Sequence, residues 1–146
     1  MTLENLLRIG KLKPHGAEKV EIARLVAAAD RVLRDASVNQ LSADSRLDLA
    51  YRTIMQAALA AMLANGFRPS TTEPGHHQVL IQALPKTIGL ATDRLQVLEA
   101  YRAARNQSDY RGVPVSQAVA AECVEDARRL LDDVRALLRT HRADLL

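Results

Sequence analysis

The stretch LDLAYRTIMQAALAAMLANG, residues 47–66, limits what this chain can fold into more than any other. Leu47, Tyr51, Ile54, Ala58 and Ala61 follow one another at spacings of four and three. That rhythm matches the turn of an α-helix and conflicts with the two-residue period of a strand. Alanine is the best helix former, and no proline or glycine interrupts the run before Gly66. Ser42 offers a hydroxyl N-cap ahead of it, and Gly66 offers a left-handed cap at its end. A helix of about 23 residues, roughly 35 Å long, needs neighbours of similar length to cover its apolar face.

Other segments supply those neighbours. Ile22, Val26, Ala29, Leu33 and Ala36 mark an amphipathic helix from Ala17 to Ser37. A further helix runs from Asp93 to Gln107. Val119, Cys123, Ala127, Leu130, Val134 and Leu137 line the core face of a last helix, which Ala120, Val124, Leu131 and Leu138 widen. Pro114 suits its first turn, and it ends near His141. HHQVLIQAL reads as a short helix stopped by Pro85, KTIGLA as a connector and GFRPSTTEPG as the longest loop. Residues 1–16 form an arm or short helix, broken by Pro14 and Gly16. Four main helices with short connections predict an all-α fold: an antiparallel four-helix up-down bundle with one or two additional short helices. The 146 residues make one domain.

Charge and cysteine narrow the function. The net charge is +3, and sixteen of the twenty basic residues are arginine. The exceptions are Lys11, Lys13, Lys19 and Lys86. Arginine matches phosphate with a two-pronged fork, although the same balance also follows from a GC-rich genome. Cys123 is alone, which excludes a disulfide framework; its place on an apolar helix face makes it a small buried hydrophobe. No apolar run approaches the ~20 residues of a membrane span. MTLENLLRIGKLKPHG lacks the continuous apolar core of a signal peptide. The expectation is a cytoplasmic protein with no membrane partner.

Several chemistries lack their residues. His76 and His77 are adjacent, but no HExxH, CxxC or Glu-x-x-His pattern completes a metal site. No GxSxG elbow supports a serine nucleophile. The six glycines are dispersed, so there is no phosphate loop. Aromatic residues are 3% of the chain, too few for a base-stacking platform. No metal and no cofactor is expected.

The segment YRAARNQSDYRG, residues 101–112, stands apart. Leu98, Tyr101 and Arg105 share one helix face at i, i+3 and i+7, so a guanidinium follows the apolar residues and needs a partner there. Two readings are open. In the structural one the helix ends at a turn over SDYRGVP, residues 108–114: Asp109 pairs with Arg105 or Arg111, Asn106 caps the end and Tyr110 packs over the junction. In the functional one the same turn gathers a phosphate-binding corner. Arg105 holds the phosphate, Asn106 orients it and Tyr110 donates to it, with Arg102, Arg111 and Asp109 around them. His76 or His77 could join the corner if their short helix lies beside it.

RNQSDY at a helix end, followed by a long last helix, resembles the HEPN superfamily of nucleotide-binding domains. LLRIGKLKPH, LDLAYRTIMQAALAAMLANGFRP and GHHQVLIQALP are similar to one branch of small bacterial members, so the resemblance covers most of the chain. It implies the same helical bundle. Ribonuclease members carry an arginine, often followed by a polar residue, and a histidine four to six residues on. The arginine falls on Arg105 and the polar residue on Asn106; Tyr110 stands where the histidine would. The family reaction resembles metal-free RNA cleavage, which needs a base near neutral pH. Imidazole serves there, whereas a phenol with a reference pKa of about 10 does so poorly. The resemblance therefore implies an RNA- or nucleotide-binding protein of a toxin–antitoxin or defence system with weak or no ribonuclease activity. An active metal-independent endoribonuclease toxin is the alternative. A helical partner of a small nucleotidyltransferase is a third possibility, with Tyr110 as an acceptor for adenylylation. The resemblance also implies a homodimer with its motifs facing each other.

Overall fold

Helix α3 (Ala43–Ala64) is the axis of the protein: fifteen of its 22 residues are buried. A helix apolar on nearly every side can only sit inside a bundle. The computed structural model describes residues 2–72 and 75–146. Around α3 pack α2 (Lys19–Ala36), α6 (Thr92–Arg111) and α7 (Gln117–His141), with α2 and α7 holding the largest share of its surface. Ala50, Ala57, Ala58, Ala60 and Ala61 are all buried. These small side chains let α2 and α7 come close to α3. The fold is all-α, as the periodicity predicts. Its short helices are α1 (Leu3–Arg8), α4 (His76–Gln82), α5 (Leu84–Thr87) and a 3₁₀ turn over Ala143–Leu145.

The caps at both ends of α3 follow the sequence. Ser42 Oγ accepts from the Ser45 amide at 3.1 Å. Asn65 ends the helix, and Gly66 takes a φ of 92° beyond it. Cys123 is wholly buried, and burial pushes its thiol well above the ordinary value, which suits a packing residue and not a nucleophile.

Four local expectations change. The arm and the start of the long loop pair as a two-stranded antiparallel ribbon, β1 (Leu12–Pro14) on β2 (Phe67–Pro69). Three-residue strands are too short to show a period, and the cause lies in the fully buried Leu12. Helix α5 (Leu84–Thr87) takes in Pro85, read as a stop, and the first two residues of the KTIGLA connector, with Pro85 tolerated in its first turn. Pro114 precedes α7: Ser116 is the N-cap, accepting from the Val119 amide at 3.1 Å. Finally, α6 does not stop at Gln107. It continues to Arg111 and ends at Gly112, whose φ of 65° only glycine adopts without cost.

That last change removes the turn that was to gather Arg105, Asn106 and Tyr110. On one continuous helix, side chains five residues apart point about 140° away from each other. Tyr110 is 84% exposed and packs over no junction. Asn106 caps nothing, because the helix passes through it.

Candidate functional site

Arg105 nevertheless has a defined setting. Its face of α6 is the one that buries Leu98 and Tyr101. Tyr101 is pinned by donating its hydroxyl to the Asp126 carboxylate of α7. One turn further on, Arg105 leaves the core and lies over the Tyr51 ring of α3, 5.1 Å from its centroid. Its Nε donates to Asp48 Oδ1 at 3.0 Å. Asp109 Oδ2 stands 3.7 Å from the same nitrogen, long for a hydrogen bond. Burial raises the Tyr51 phenol above its usual pKa, and Arg105 and Arg102 partly offset that.

The guanidinium lines a cleft of about 430 Å³. Asp48, Tyr51, Arg52, Met55 and Gln56 of α3 line it too, as do His77 and Leu80 of α4. Arg52 makes no hydrogen bond or ion pair among the described residues, and Arg105 uses only its Nε. The two terminal nitrogens of Arg105 therefore keep their donors for another acceptor. Gln56 Oε1 is shielded from solvent and accepts no hydrogen bond among the described residues.

His77 is the residue that the helical turn did not need to supply. It enters from the second position of α4, behind Gly75, whose φ of 80° turns the chain into that helix. Its ring meets that of His76 edge-on, with centroids 4.5 Å apart. Desolvation holds the His77 pKa below the ordinary imidazole value, and the neighbouring His76 and Arg105 add to the effect. The cleft thus combines a fixed guanidinium, a second arginine and an imidazole neutral at pH 7.

Of the other residues singled out from the sequence, Asp109 stands beside Arg105, but the rest are not gathered with it. Arg102 donates Nε to Glu99 Oε2 at 3.2 Å, one turn earlier on α6. Arg111 and Tyr110 are exposed at the helix end, and His76 does not line the cleft. Sequence reasoning passed over Asp48, Arg52 and Gln56. Their signal was available: three polar residues at spacings of four along an otherwise apolar helix form a stripe that needs a reason. Among the described residues no group of three or more His, Cys, Asp or Glu side chains is placed to hold a metal ion. None of the described helices is long and apolar enough to cross a membrane. No protein-family model matches this chain, and no curated protein matches it.

Proposed function

We propose that this chain is a HEPN-like RNA- or nucleotide-binding module of a toxin–antitoxin or defence system, with the Arg105 cleft as its phosphate site. The supporting observation is the way Arg105 is held. Asp48 fixes Nε and Tyr51 lies under the plane, while the remaining donors are uncommitted. An arginine oriented in this manner has its fork ready for two phosphate oxygens. Its structural worth is small. An exposed pair with Asp48 contributes at most about 1 kcal/mol, and the stacked ring about as much. Arg52 adds a second positive charge to the cleft. Tyr110, 84% exposed, is open to a nucleotidyltransferase partner of the kind the resemblance implies.

Arg105→Ala tests this reading by fluorescence anisotropy with single-stranded RNA. Losing a charged hydrogen-bonding group weakens binding about tenfold or more, while the thermal melt stays cooperative. A variant that melts without cooperativity would show that Arg105 is structural, and one that binds RNA like the parent would end the phosphate assignment.

His77 favours the second reading, a metal-independent endoribonuclease. A neutral imidazole in the same cleft as Arg105 can take the proton of a ribose 2′-hydroxyl. That oxygen then attacks the adjacent phosphorus, the bond to the 5′-oxygen breaks, and the departing oxygen takes a proton from solvent water. Arg105 would stabilise the charge gathering on the phosphoryl oxygens. RNA incubated with the protein in EDTA would then acquire 2′,3′-cyclic phosphate ends, and His77→Gln would stop their formation. Intact RNA after prolonged incubation would leave the binding module.

A further inference from the structure

The β1–β2 ribbon carries a charge arrangement that its own stability opposes. In the ladder Lys13 stands directly across from Arg68. Residues directly opposite in an antiparallel pair project to the same face with their Cβ atoms about 5 Å apart. Like charges in that position repel and destabilise the pair. The pairing reaches one residue pair further at each end, through Ser70 N to Lys11 O at 2.9 Å and His15 N to Gly66 O at 2.8 Å. Lys11 lies at a bend just before β1, two residues from Lys13, and the intervening Leu12 is fully buried.

Lys13 and Arg68 are both exposed. Among the described residues no carboxylate pairs with Lys11, Lys13 or Arg68. Glu21, one of the acidic residues that follow β1, is engaged by His15 Nε2 at 2.8 Å. Lysine is scarce in this chain, four against sixteen arginines, yet Lys11 and Lys13 both fall at this ribbon. A lysine is a point charge on a flexible stem. It suits a phosphate backbone contacted without reading bases.

The ribbon is also connected to the cleft. Strand β2 packs on α4 and α3, and α4 is the helix that delivers His77. Both surfaces thus rest on one support.

We infer that the outward face of the ribbon, with Lys13 and Arg68 and with Lys11 just before β1, is a second backbone contact for single-stranded RNA, extending the Arg105 cleft. The inference rests on the RNA-binding reading of that cleft. A phosphate between Lys13 and Arg68 converts their repulsion into shared attraction. That gives a reason for placing two cations opposite each other on a three-residue strand pair.

The test measures the affinity of the full chain for a labelled single-stranded oligouridylate across a salt series. The double variant Lys13→Gln/Arg68→Gln binds roughly tenfold more weakly than the parent at low salt. Its plot of log affinity against log salt is shallower by about 1.4, the loss of two phosphate contacts on a single strand. Because both side chains lie in solvent and their mutual repulsion is removed, the double variant melts at or slightly above the parent's temperature. If it matches the parent in affinity and slope while Arg105→Ala weakens binding, the ribbon assignment is wrong and the cleft reading stands. If all three proteins bind alike, both fall. Parent protein that binds phosphatidylserine vesicles and ignores the oligouridylate would also overturn the inference, in favour of a membrane surface.

Discussion

Arg105 is a charged side chain on the face of α6 that buries Leu98 and Tyr101. It leaves the apolar face of α6 at the point where the core gives out. Tyr51 and Asp48 then receive it, and neither interaction contributes much to folding. His77 faces the same space, and its environment sets its charge. Desolvation, His76 and Arg105 all disfavour the imidazolium. An NMR titration of the assigned His77 ring should therefore give a midpoint below the ordinary imidazole value of about 6.5. Arg105→Ala should move that midpoint upward, because one nearby positive charge is gone. A midpoint at or above 6.5 in the parent would mean that the ring does not sense the cleft.

At the scale of elements, the end of α6 carries the main lesson about reading the sequence. Asn106, Ser108 and Asp109 resemble a turn because polar residues favour turns. Here they lie on the outer part of a surface helix, where the same residues are simply solvated, and Gly112 is the true stop. Gly112→Ala should cost about 1 kcal/mol, the penalty of a left-handed Cβ, and should lower the midpoint of thermal unfolding. Nothing lies within 4 Å of the position a Cβ would take, so a change of the opposite sign would argue against the cap. The long helices were legible because their apolar periods span many turns. The ribbon was not, because two strands of three residues pair across more than fifty positions of sequence. The cleft was half legible: Arg105 and His77 could be picked out, but their meeting depends on where α4 packs against α6. Asp48, Arg52 and Gln56 were hidden within a helix otherwise recognised only as core.

For the whole molecule, α3 does two jobs. Its buried faces hold α2 and α7, and its one polar stripe lines the cleft. The two roles separate by residue. Ile54, wholly buried, belongs to the first; Ile54→Ala should lose about 2–5 kcal/mol of unfolding free energy in urea. Asp48 and Arg52 belong to the second. The same His77 titration, repeated with saturating single-stranded RNA, tests the cleft most directly. A phosphate held by Arg105 stabilises the imidazolium beside it, so the midpoint should rise when RNA is added, and should not do so in Arg105→Ala. A midpoint unmoved by RNA in the parent protein would contradict the cleft as the place where this chain meets phosphate.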